Sequence, residues 1–139
     1  MNIMKGQYRV FSQGKIVVSH ISGQWSKSNA LEYEDAVHKV ITNLGGREFA
    51  SLLFFEDWGL NTPEAGPIIE RIINWCVNQG MCCAAEVFSP DALKEYLLNK
   101  LVKEVKSQLV IRRFSSEHEA LLWLAEKGFE SKKASWIEQ

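Results

Sequence analysis

Residues 53–64 read LFFEDWGLNTPE, which places two carboxylates, Glu56 and Asp57, and an indole, Trp58, directly behind an apolar run. Paired carboxylates can share acid–base work or hold a cation, provided both face one substrate. Consecutive residues at a strand end point to opposite sides, so this pair is expected to diverge, and no catalysis by it is expected. The chain offers no G-x-S-x-G turn on which a serine would become a nucleophile. Its three histidines, His20, His38 and His118, fall in three separate stretches and no C-x-x-C occurs, so metal-ligand spacing is missing. Cys76, Cys82 and Cys83 sit among apolar neighbours and are odd in number, as expected of free structural thiols in a reducing, cytoplasmic compartment. Cys82 and Cys83 are adjacent on a predicted strand, which puts them on opposite faces. The expectation is a protein with no catalytic residue, no metal and no cofactor.

These side chains need a scaffold, and 139 residues suffice for one domain with a core that requires no disulfide or metal. The domain is expected to span residues 1–139, with its core over about 8–129 and a loose tail over 130–139. A net charge of -1 lacks the basic stripe that nucleic acid or an anionic membrane would select. No apolar run approaches a membrane span, and the first residues carry no stretch of signal-peptide length.

The hydrophobic periods predict the order ββαβαβαβα. YRVF and KIVVSHIS, separated by Ser12-Gln13-Gly14, form a hairpin. From Ser26 the period becomes helical through Ala30, Tyr33, Val37 and Ile41, with Asn29 and Glu32 spaced as a capping box and Gly45-Gly46 as the stop. SLLFF is too continuously apolar for a strand with one wet face and reads as a central strand covered on both sides. A second amphipathic helix runs through Ile68, Ile72 and Cys76, starting either at Thr62-Pro63 or at Pro67. MCCAAEVF is the next strand, Ser89-Pro90-Asp91 opens a helix, and LVIRRF is the last strand. Ser116 with Glu119 caps a final helix that Gly128 closes. Crossover helices between the later strands argue an α/β fold with a mostly parallel sheet.

The leading hairpin YRVFSQGKIVVSHISGQWS, the βα units behind it and the closing FSSEHEALLWL resemble the SpoIIAA-like family, relatives of STAS domains. The resemblance covers residues 8–129. It implies a SpoIIAA-like sheet with an antiparallel N-terminal strand. It also implies non-enzymatic regulation, since STAS domains act as anti-sigma-factor antagonists or as regulatory modules on anion transporters. Some SpoIIAA-like proteins are likened to lipid-carrying SEC14-type domains. The family's phosphorylated serine lies after the third strand, where this chain reads Asp57-Trp58-Gly59-Leu60-Asn61-Thr62 and has no serine before Gly80. The switch therefore does not transfer, and Thr62 is better read as a helix cap. A rival reading, a receiver domain with Asp57 as phosphoacceptor and Ser89 beyond the next strand, lacks the acid pair that would hold Mg²⁺, because that position reads HISGQWS.

Two surfaces are left as candidates. Ligands in open α/β sheets gather at the carboxyl ends of the strands, which here collect Trp25, Glu56, Asp57, Trp58, Thr62 and Ser89. The helix after Ser89 carries one apolar stripe through Leu93, Leu97 and Leu101 and a second through Leu98, Val102 and Val105. The second stripe is expected to meet a protein partner or a second copy of the chain. The functional expectation is a regulatory or scaffolding domain acting by protein contact; the alternative is a carrier of a small apolar ligand.

Overall fold

The computed structural model describes residues 6–58, 63–88 and 109–130. A five-stranded sheet carries the fold, with strands β1 (Gln7–Gln13), β2 (Ile16–Gly23), β3 (Phe49–Trp58), β4 (Met81–Phe88) and β5 (Val110–Phe114). They lie side by side in chain order, β1 antiparallel to β2 and every later pair parallel. The predicted mixed sheet with its antiparallel first strand is thus present. Sequential order also removes the receiver reading, since a receiver sheet follows the order 2-1-3-4-5 with all strands parallel. Gly14, at φ +56°, makes the turn of the hairpin, a conformation that costs glycine little.

Three helices are described: α1 (Lys27–Thr42), α2 (Ala65–Asn78) and α3 (Glu117–Glu126). The helix expected after Ser89, with Leu98, Val102 and Val105, lies outside the described residues, as do Thr62, Ser89 and the tail after residue 130. Helix α1 starts one turn earlier than the expected Asn29–Glu32 box. Ser26 is the N-cap, and its hydroxyl accepts from the Asn29 amide at 3.3 Å while Asn29 Oδ1 accepts from the Ser26 amide at 3.1 Å. Asn29 therefore closes the box instead of opening one, and its Nδ2 donates to Gly6 O at 3.0 Å. A Cβ at Gly6 would lie 2.7 Å from the Trp25 ring, so that close approach requires glycine. Helix α2 begins between the two starts expected for it. Pro67 falls in its first turn, where the missing N–H has no intrahelical partner to lose.

Strand β3 is covered on both faces, as its unbroken apolar run requires: Leu52 is fully buried and Phe54 and Phe55 nearly so. One face packs on α3 through Val18, Leu52, Ala85, Trp123 and Leu124. The other packs on α1 and α2 through Val17, Ile21, Tyr33, Ile68 and Ile72.

Candidate functional site

The alternation of β4 is interrupted at its start. Phe49 pairs with Met81 and Ala50 with Cys83, so Cys82 is the extra residue of a bulge. This corrects the expectation that Cys82 and Cys83 face apart, for their sulfurs lie 3.9 Å from each other. Burial, helped by the Glu48 carboxylate and Cys83, pushes the Cys82 thiol up to about 12; burial alone does the same for Cys76, and Cys83 is raised too. All three remain thiols near neutrality and are poor nucleophiles. The structural reading of the cysteines stands.

A second bulge falls at the opening motif. Ser22 pairs with Glu56 and Gly23 with Trp58, which makes Asp57 the extra residue. The regular pleat expected to separate Glu56 from Asp57 is therefore broken at Asp57. Both residues and Trp58 belong to the carboxyl end of β3, the edge where they were expected. Trp25 lies beyond the end of β2, but as core: it is 1% exposed, donates Nε1–H to Ser22 O at 2.9 Å, and meets Tyr8 and Tyr33 edge-on at 6.2 and 5.2 Å between ring centres. The indole is a wall and not a rim.

What it walls is a cavity of about 100 Å³ between the sheet and α2. Strand residues Ile21, Leu53 and Phe55 form one side, and Ile69, Ile72 and Ile73 of α2 form another. Three polar groups reach its lining from the described residues. The Tyr33 hydroxyl is 2.7 Å from Ser19 Oγ, and its burial raises its pKa. Ser51 Oγ donates to Met81 Sδ at 3.0 Å. Glu86 is the third. It is 6% exposed, and burial outweighs the nearby Arg113 charge to push its carboxyl up to about 7. Arg113 faces it across the β4–β5 ladder, with Nε 3.2 Å from Glu86 Oε1. That is ion-pair distance, yet the N–H is not aimed at the oxygen. Neither atom has a hydrogen bond, and Arg113 Nη2 has none either. The lining thus joins apolar side chains to one buried carboxyl, Glu86, whose neighbour Arg113 is under-satisfied.

Sequence reasoning alone misses both residues, although a signal is there. MCCAAEVF carries a single charge in an otherwise apolar strand, and such an acid, once buried, demands a partner on a neighbouring strand. LVIRRF is the adjacent parallel strand and supplies it. Among the described residues, no group of three or more histidines, cysteines or carboxylates could hold a metal ion. No described helix is long and apolar enough to cross a membrane.

The architecture is a SpoIIAA-like α/β fold, and solved structures share it. An uncharacterized protein of the DUF3478 family from Shewanella loihica PV-4, described as having a SpoIIAA-like fold, superposes with a TM-score of 0.67 at 10% identity, over 89% of this chain and 97% of that one. The Bacillus cell fate determinant SpoIIAA in its phosphorylated form gives 0.54 at 11% identity, over 85% of this chain and 99% of that one. No family model and no curated protein matches the chain. At these identities the likeness establishes the fold.

Proposed function

We propose that this protein is a non-catalytic, STAS-type regulatory domain that binds a small apolar molecule in the cavity between the sheet and α2 and answers through contact with a protein partner. The observation that carries the ligand half is the cavity itself. Close-packed interiors leave few voids larger than a water molecule, and an apolar void stays dry and takes apolar guests. This void runs along the parallel strands from Ile21 and Phe55 to the first residue of β4, Met81, and the start of β5 at Ile111. Trp25 forms part of its wall, and in this reading Glu56, Asp57, Trp58, Thr62 and Ser89 remain the ligand or partner edge expected from the sequence. The contact half rests on the second apolar stripe, Leu98, Val102 and Val105, whose partner is another protein or a second copy of the chain.

Native mass spectrometry of gently purified protein tests the ligand half. Bound mass is expected on the wild type and none on Ala84→Leu, which fills the cavity from β4. Equal mass on both, or an empty wild type that no apolar probe saturates, would remove the cavity from the function. For the contact half, Leu98→Glu with Val102→Glu should abolish association with itself or a captured partner. Unchanged association means that surface is the wrong one.

A further inference from the structure

The α3 face of the sheet is more fully covered than the described helices account for. An aromatic row crosses it: the Phe11 and His20 rings stack 6.4 Å apart at 18°, and His20 stacks on Phe54 at 4.7 Å and 13°. The Arg9 guanidinium lies 5.1 Å from the Phe11 ring centre. Around the row, Ile16 is 1% exposed, Val18 0% and Phe54 2%, and His20 Nε2 has no accessible surface. Yet α1 and α2 lie on the opposite face, and α3 rests on β4 and β5. A helix is about 10 Å across and strands lie about 4.8 Å apart, so α3 spans about two strands. Something else covers β1 and β2.

The path of the chain narrows what that is. The crossovers from β2 to β3 and from β3 to β4 carry α1 and α2 on one face and step the same way across the sheet. The connection from β4 to β5 takes the same step, and the common hand of such crossovers assigns residues 89–108 to that face too. Residues 59–62 join β3 to α2, again on that side. Gly6 O accepts from Asn29 of α1, so the chain also enters β1 from the α1 side. The stretch after α3 starts on the right face. Phe129, 7% exposed, packs in one cluster with Ile16, Val18 and Phe54, and its amide donates to Leu124 O at 2.9 Å.

Independently of the cavity, we propose that the α3 face carries a groove for an extended peptide over β1 and β2, and that residues 131–139 of the same chain occupy it with Trp136 laid on the aromatic row. Reach permits this. The Lys127 charge is felt at Cys83, which sets the end of α3 beside the start of β4. Cys83 is level with Ala50 and Ile16, so the row lies two to four residues further along the strands. With two to three strand spacings across, the path is roughly 20 Å at most. The seven residues from Phe129 to Trp136 extend to about 23 Å. Chemistry then selects the residue. In SKKASWIEQ the large apolar side chains are Trp136 and Ile137, and an indole gains beyond its buried area when it meets other rings edge-on or offset. The tether favours this occupant over a free peptide, because a short linker holds it at an effective concentration on the order of millimolar.

The test is nuclear Overhauser spectroscopy on the whole isotope-labelled chain, repeated on a mixture of labelled and unlabelled protein. Contacts from the Trp136 indole protons to the Val18 methyls and the Phe11 ring are expected, and none of them between labelled and unlabelled copies. Contacts seen only between copies would make a second molecule the occupant and overturn the proposal. Contacts to Val18 from residues 89–108 in place of Trp136, or no contact from Trp136 to this face, would overturn it as well. Trp136→Ala should shift the Val18 and His20 signals, leave those of Leu53 and Ile72 on the cavity side in place, and lower the urea midpoint. Lys133→Ala should do none of this. Shifts of equal size on both faces, or an unchanged spectrum, would remove Trp136 from the groove. Because the contacts are read on wild-type protein, the proposal stands or falls whether or not Trp136→Ala folds.

Discussion

The two faces of the sheet solve different problems with the same five strands. On the α3 face, Val18, Ala50, Leu52, Ala85, Ala120 and Leu124 have no accessible surface, and the aromatic pair Phe114 and Trp123 meets 5.7 Å between ring centres. On the α1/α2 face the residues are as apolar, yet a void of about 100 Å³ remains, with a buried acid beside it. A void forgoes dispersion contacts, and a buried acid carries a desolvation cost, so both features weaken the fold. One face is built for stability. The other keeps room, and the proposal of an apolar ligand rests on that asymmetry.

The largest expected effect lies on the tight face. Leu52→Ala removes a fully buried side chain from close-packed surroundings, and it should cost about 2–5 kcal/mol in urea unfolding. Leu53→Ala, on the cavity side of the same strand, should cost less, because its neighbours already border free space. If the two cost the same, the faces do not differ in packing and the comparison fails.

Next in size is the titration of Glu86. In the fold it holds its proton until about pH 7, whereas an unfolded glutamate ionises near pH 4.3. Between those values the unfolded chain binds fewer protons than the folded one, so stability falls as pH rises through this window and levels off above it. The loss should be on the order of 3 kcal/mol. Arg113 is the charged group facing Glu86 among the described residues, and Tyr33 and Cys76 on α1 and α2 stay neutral here because burial raises both. Glu34 slopes the other way, since Arg71 lowers its pKa and the stability it contributes is lost as pH falls below the usual carboxylate range. Subtracting the Glu86→Gln profile from wild type isolates Glu86. A flat difference between pH 4.5 and 7 would show that the acid is not desolvated.

How much of this asymmetry can be read in the sequence depends on what kind of signal carries it. The strands are legible because SLLFF and MCCAAEVF are short apolar runs bounded by turn residues, and period 2 against period 3.6 is a property of the chain alone. The hairpin follows from its turn. The bulges at Cys82 and Asp57 are not legible, because a bulge is set by how two strands settle against each other and leaves no local mark. The cap of α1 is misplaced by one turn for a related reason: Asn29 is a good cap by type, and only its bond to Gly6 reveals that it serves as N3. The site is legible as an edge and illegible as a cavity. Trp25 stands out as a large aromatic near a strand end, but its burial depends on Tyr8, Tyr33 and Gly6, which approach from other elements. Glu86 and Arg113 carry a sequence signal only once β4 and β5 are known to be neighbours.

Third in size is the cavity's own vacancy. Ala84 lines the void and is 4% exposed, and valine has high strand propensity. Ala84→Val should therefore stabilise the protein by about 1 kcal/mol, as cavity-filling changes commonly do. The equivalent change on the tight face, Ala85→Val, should destabilise by about 1–3 kcal/mol through overpacking. Opposite signs at adjacent residues of one strand, measured by thermal and urea unfolding, would be the sharpest expression of the difference between the faces.

The smallest expected effect concerns how each face holds its helix. Ser26 caps α1 in a reciprocal box with Asn29, and Asn29 in turn ties to Gly6 ahead of β1, so the cap joins the helix to the hairpin that edges the cavity face. Ser116 caps α3 through a single bond, from the Glu119 amide at 3.3 Å. Removing either serine leaves helix donors unserved, a loss of about 1 kcal/mol for an ordinary cap. Ser26→Ala should exceed that value and Ser116→Ala should fall at or below it, because only the first also frees Asn29 and loosens Gly6 beside Trp25. Asn29→Ala provides the internal control. If the network acts as a unit, the double variant Ser26→Ala/Asn29→Ala should lose less than the sum of its parts in urea unfolding. Additive losses would mean the two bonds are independent, and that α1 is held over the cavity no more firmly than α3 is held over the tight face.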